Sequence, residues 1–217
     1  MGPPPAGRDP GARRRRRRRR RLVPHLRGPR RRQSRLLGSE RRGQLGTGDK
    51  RNRKAPTQVP GIGDVVALAA GHWHTCALKR SGQVLCWGDN DYGQVGDGTS
   101  TGRLSPTPVQ GLDDAVQITA GAEHNCAIRE GGAPVCWGYG GFGQLGNGSN
   151  SNRRTPGAVQ GLAGVELITA GDTHTCALAA TGKAFCWGNA DKGQLGIGDL
   201  DDPFDTWLAV PAEVIFE

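Results

Sequence analysis

Aromatic side chains are scarce in this chain, at 5% of its 217 residues, and methionine occurs once. No apolar run reaches 18 residues, which excludes a membrane-spanning helix. The apolar segment of a secretory signal is missing too, because Pro24 and His25 interrupt Leu22, Val23 and Leu26 behind the N-terminal arginines. A chain that starts this way is expected to remain in the compartment where it is made, cytoplasmic as written; a true start further upstream carrying a signal peptide would make it extracellular. Hydrophobic residues amount to only 35%, against 36 Gly and 14 Pro. That balance leaves little room for long helices and favours many short strands joined by turns.

Acidic residues are almost absent from one end. Residues 1–54 hold 21 of the 29 Lys and Arg but only Asp9, Glu40 and Asp49 among the acids, a charge of +18. The remainder has 8 basic and 17 acidic residues, or −9, so the basic pI belongs to the N-terminal segment alone. Residues 1–35 read as an Arg-rich disordered tail, too polar and too alike in charge to bury a core. Its nine consecutive guanidinium groups, Arg13, Arg14, Arg15, Arg16, Arg17, Arg18, Arg19, Arg20 and Arg21, make it a candidate for salt-sensitive, sequence-blind nucleic-acid binding. A misplaced start codon is the competing reading, since the tail replaces the front of a unit whose remainder is recognisable.

What the rest does have is a repeat with a period of 50. Cys76, Cys126 and Cys176 recur at that interval, as do Cys86, Cys136 and Cys186, and Trp87, Trp137 and Trp187, each tryptophan followed by glycine. Three full copies open at Ala69, Thr119 and Thr169, joined by linkers in which Pro56, Pro106 and Pro156 precede Val59, Val109 and Val159. An incomplete first repeat and linker occupy 36–64, with Leu37 standing where Trp87 stands one period later. Pro211 and Val214 match Pro156 and Val159 after a five-residue insertion. The copies therefore predict blades over 65–217.

Within one copy the pattern predicts strands at Val65–Ala70, Thr75–Leu78, Val84–Trp87 and Thr107–Val109. Four strands per repeat suit a propeller blade. Gly82 supplies the positive φ that a three-residue hairpin loop wants, which centres the turn on Ser81 and sets Cys76 opposite Cys86. The same arithmetic pairs Cys126 with Cys136 and Cys176 with Cys186. Those pairs are read as disulfides or as buried free thiols, with zinc held by His74, Cys76 and Cys86 as a third option that lacks a fourth ligand.

The motifs AGxxHxCA, CWG and GQxGxG resemble those of the regulator of chromosome condensation repeat family over residues 36–214. The resemblance implies an all-β fold, here a partial β-propeller of about three and a half four-stranded antiparallel blades. Since members commonly have about seven blades, an open arc of this size is expected to self-associate through its exposed blade edges, or to be a fragment of a longer product. It also implies a rigid, non-enzymatic scaffold that binds a macromolecule through its blade loops, with a protein as the expected partner and no cofactor. Two alternatives stand beside that: a guanine nucleotide exchange factor for a small GTPase, and a secreted or surface binding or inhibitor propeller. Light-sensing relatives carry an extra Trp in the GxxHT motif, and here only Trp73 fits, since Glu123 and Thr173 fill the matching positions.

Residues that differ between copies are the expected contact surface, because those that recur hold the blade. Asp89, Asn90, Asp91 and Tyr92, with Tyr139 and Phe142, are the candidates. His74, His124 and His174 recur with the fold and read as hydrogen-bonded scaffold within each blade rather than as catalytic bases. The tryptophans read as half-buried fillers between blades. GQLGTG and its relatives lack the following helix that a phosphate-cradling loop requires.

Overall fold

The computed structural model describes residues 34–198 and 206–215. The candidate nucleic-acid tail at Arg13–Arg21 lies outside the described residues. Strands β1 (Arg35–Gly38) and β2 (Arg53–Gln58) form a two-stranded sheet. Three four-stranded sheets follow: β3 (Val65–Ala70), β4 (His74–Lys79), β5 (Val84–Gly88) and β6 (Arg103–Pro108); β7 (Ala115–Ala120), β8 (His124–Arg129), β9 (Pro134–Gly138) and β10 (Arg153–Ala158); β11 (Val165–Ala170), β12 (His174–Ala179), β13 (Ala184–Asn189) and β14 (Trp207–Glu213). Each is an antiparallel meander in chain order, and no helix occurs among the described residues. We call these sheets blades 1, 2 and 3.

The middle strands of blades 1 and 2 carry no alternation of apolar and polar residues because both of their faces are covered. HTCAL in β4 and VLCWG in β5 are buried throughout. The fourth strand is longer than the expected Thr107–Val109: β6 starts at Arg103 and stops at Pro108. Pro106 and Pro108 are tolerated there since the strand lies at an outer edge, where a missing N–H costs no ladder bond. Val109 leaves the strand and becomes core, its N–H donating to Val84 O at 3.0 Å.

Hairpin register follows the turn chemistry. Gly82 sits at φ +86°, its N–H donates to Lys79 O at 3.0 Å, and Lys79 N–H donates to Gln83 O at 2.9 Å, so Cys76 faces Cys86. The same pairing recurs for Cys126 with Cys136 and for Cys176 with Cys186.

Little of the core lies inside any one sheet; most of it fills the seams between sheets. Val84 and Cys86 of blade 1 pack with Ile118, Val135 and Trp137 of blade 2, and Cys126 and Ile128 of blade 2 with Ile168 and Trp187 of blade 3. Gly96 shows how close the seam is. It has φ +77°, and a Cβ there would stand 2.7 Å from Trp137 Nε1 and 3.0 Å from Val109 Cγ1. Gly96→Ala is expected to cost about 2 kcal/mol, from left-handed backbone strain together with displacement of the indole. Thermal unfolding should show this as a loss of several degrees; an unchanged midpoint would contradict the tight seam.

Candidate functional site

Buried polar side chains lock the blades together. Trp137 Nε1 donates to Gln94 O at 3.0 Å, and Asn125 Nδ2 donates to the same oxygen at 2.8 Å. Asn125 Oδ1 is then left facing His74 Nε2 at 3.0 Å. An amide oxygen only accepts, so His74 is the Nε2–H tautomer, with Nδ1 as a buried acceptor that has no partner. At the next seam Thr175 Oγ1 and Trp187 Nε1 both donate to Gln144 O, at 3.0 and 2.9 Å. The Thr175 hydroxyl proton is thereby used, and its oxygen accepts from His124 Nε2 at 2.9 Å. Thr75 and Trp87 bind Gln44 O in the same manner.

The histidine bonds thus run between blades and not within one, contrary to expectation, and the tryptophans are fully buried rather than half-buried. Burial pushes the His74 imidazole down to about 4 and that of His124 to about 3, because a charged ring sealed from water lacks solvation. Both rings are closed off from solvent, which removes them as catalytic bases. His174 has no following blade among the described residues and is half-buried; burial lowers its pKa as well. The recurrence of Gln at 44, 94 and 144 and of a small polar residue at 75, 125 and 175 was the available signal for this lock.

Cys76–Cys86, Cys126–Cys136 and Cys176–Cys186 are disulfides, each with Cα atoms 4.1 Å apart, the short spacing of a non-hydrogen-bonded antiparallel pair. Neither buried free thiols nor a zinc-binding thiolate group is compatible with that pairing. Thiol titration of the denatured, unreduced chain is expected to detect no free thiol, and six after reduction; six before reduction would overturn the assignment.

The GQxGxG segments spend their backbone groups on the neighbouring blade. Gly48 N–H donates to Leu104 O, Gly98 N–H to Arg154 O and Gly148 N–H to Ala209 O, each at 2.9 Å. These loops clasp the outer strand of the next sheet, which leaves those amides unavailable to a phosphate.

The first-to-second and third-to-fourth strand connections emerge at the same end of each sheet, as a meander requires. Asp89 N–H donates to Trp73 O and Tyr139 N–H to Glu123 O, at 2.8 and 2.9 Å, tying the two sets of loops into one face. The candidate contact residues all lie on this face but differ in display. Asn90 is fully buried, with its amide bonded to Thr99 O and Thr101 O and its Oδ1 accepting from Val95 N–H, so it shapes the loop. Asp89 is mostly buried, accepts from Gln94 Nε2 and pairs with Arg42 at 3.2 Å. Asp91 and Tyr92 are exposed. The Tyr92 ring lies 4.9 Å from that of Tyr139, which lies 6.0 Å edge-on from Phe142.

Carboxylates border this aromatic row. Partial burial, then the nearby Asp89 charge, raises the pKa of Glu123, and partial burial followed by Asp91 raises that of Asp89. Trp73 and His72 complete the face toward the inner loops, with Trp73 43% exposed. Sequence reasoning did not single out Glu123, Trp73 or Arg42 as contact residues, although each differs between copies, and that variation was the available signal.

Sequence profiles of the regulator of chromosome condensation (RCC1) repeat match residues 36–78, 81–128 and 136–178, and a second profile of that repeat matches 65–94, 115–144 and 165–194. The mouse protein "Regulator of chromosome condensation" is 48% identical over 56 residues, which is 25% of this chain and 13% of that protein. A zebrafish (Danio rerio) "Protein RCC2 homolog" is 42% identical over 55 residues, 24% of this chain and 11% of that one. Among solved structures, human WBSCR16 superposes with a TM-score of 0.72 at 25% identity, covering 85% of this chain and 48% of its own. Saccharomyces cerevisiae Prp20p, whose structure is described with its binding to Gsp1p and histones, gives 0.72 at 22% identity, covering 84% and 46%. The chain spans less than half the length of these relatives.

Proposed function

Since this chain belongs to the regulator of chromosome condensation (RCC1) repeat family, we propose that it works as a non-catalytic platform that binds a partner protein through the loop face. The observation that carries this reading is the division of labour among polar groups. Recurring His, Trp and Gln are consumed in the blade-to-blade lock, whereas the side chains that differ between copies, Asp91, Tyr92, Glu123 and Tyr139, stand on one accessible face. A rigid scaffold with varied loops is how a fixed fold acquires specificity. The three disulfides support assembly in an oxidising compartment, which favours the secreted or surface setting over a cytoplasmic one.

Two measurements test the reading. Crosslinking of the purified full chain in its native extract, followed by mapping, should place partner crosslinks on residues 89–92, 123 and 139–142. Crosslinks confined to the hairpin turns at 79–83 and 129–133 would overturn it. Addition of the chain to nucleotide-loaded small GTPases should leave nucleotide release unchanged; acceleration would establish exchange activity in place of a passive platform.

A further inference from the structure

The loop face at the seam of blades 1 and 2 combines features that together specify a ligand chemistry. Tyr92, Tyr139 and Phe142 form a continuous aromatic row across two blades, and its outermost ring, Tyr92, is 37% exposed. Such a row left open to water is unusual on a chain so poor in aromatics. The Tyr139 hydroxyl lies over Gly141, whose missing side chain leaves room for it.

Beside the row stands Glu123. It is half-buried and forms no ion pair among the described residues; Asp89 and Asp91, which face Arg42, add negative potential around it and His72 opposes them. The molecule itself shows what satisfies this kind of setting. At the preceding seam the position equivalent to Tyr92 is Arg42, whose guanidinium lies 3.2 Å from Asp89 and 3.9 Å from Asp91. One seam on, Tyr92 and Tyr139 stand where Arg42 and Asp89 form their ion pair, and Glu123, at the position of Trp73, has the His72 imidazole as its nearby basic group. An arginine or lysine from outside would stack on the ring faces and neutralise Glu123 at once.

Resting on the platform reading, we propose that the seam lined by Tyr92, Tyr139, Phe142, Asp91 and Glu123 docks an arginine- or lysine-bearing segment of a partner protein. The occupant follows from charge complementarity at the seam itself, where the Glu123 and Asp91 carboxylates stand beside the aromatic row. A neutral saccharide, the other common companion of exposed aromatic rows, would leave the Glu123 carboxylate without its counter-charge.

The test is fluorescence anisotropy with the full chain and three probes: a nine-residue peptide alternating arginine and glycine, its glutamate counterpart, and a neutral hexasaccharide. The arginine peptide is expected to bind with an affinity that falls as salt rises. Glu123→Gln and Asp91→Asn should each weaken it about threefold to tenfold, and Tyr139→Ala by at least tenfold, with unfolding midpoints unchanged for the two carboxylate variants. Glu130→Gln, on an exposed turn at the opposite end of blade 2, should have no effect. Equal binding by all variants, or preference for the saccharide or the glutamate peptide, would overturn the assignment. If mapped partner crosslinks remain on this face while the arginine peptide does not bind, the platform survives and the basic-segment assignment alone falls.

Discussion

Replacing Trp137 by alanine is expected to destabilise the repeat region by roughly 3–5 kcal/mol, the range for deleting a large buried aromatic side chain. The indole is fully buried in the seam between blades 1 and 2, against Val84, Val109 and Ile118, and its N–H is one of two donors to Gln94 O. The cavity left behind cannot close easily, since Gly96 and the clasping loop are anchored to Arg154 O on the far side of the same seam. Trp137→Phe keeps most of the volume and leaves Gln94 O its bond to Asn125, so about 1 kcal/mol is expected for the lost hydrogen bond. Urea unfolding followed by circular dichroism would measure both. A cost below about 1 kcal/mol for the alanine variant would mean that the seam is not the core.

Acidification is expected to produce the second large effect. His74 and His124 are neutral in the fold, with pKa values of about 4 and about 3 against an ordinary 6.5. Their native pKa values lie below the unfolded ones, so between pH 6.5 and 4 the unfolded chain binds more protons than the folded chain. Their contribution is complete above pH 6.5 and is lost as pH falls toward the native values. Each histidine should then remove about 1.4 kcal/mol of stability per pH unit within that window. His174 acts in the same direction, while Asp89 and Glu123, whose values are raised, act oppositely. Denaturant unfolding at several pH values tests the sign. His124→Gln retains a donor for Thr175 Oγ1 but does not titrate, so it should flatten the slope by about half; a variant as acid-sensitive as the parent would refute the assignment.

Protonation acts on the lock itself. A second proton on His124 would have to sit on Nδ1, a buried atom with no acceptor beside it, and the same is true of His74. Acid should therefore loosen blades from one another before it unravels a hairpin, whose two middle strands are joined by a disulfide.

Repetition made the hairpins readable because each is local. Gly82 in a three-residue loop sets the register over ten residues, and the same loop length at 131 and 181 repeats it, so the cysteine pairing could be stated without any long-range information. The start of β6 was harder to read, since its prolines disfavour a strand in isolation and only its place at an outer edge makes them harmless. Asn90 illustrates the limit of reading variation as exposure. It differs from its counterparts Glu40, Gly140 and Ala190, yet it is buried, because each copy closes the same loop with different internal bonds.

From residue order alone, this protein's period, its strands, its turn geometry and its cysteine partners were determined, since all of these depend on contacts within a few tens of residues. Which groups are consumed between blades and which remain free was decided only when the sheets packed side by side. His74 meets Asn125 across 51 residues and Trp137 meets Gln94 across 43, and such pairings express the angle and spacing of whole sheets. The loop face arises in the same way: Tyr92 and Tyr139 become one aromatic row because packed blades bring their loops together at one end.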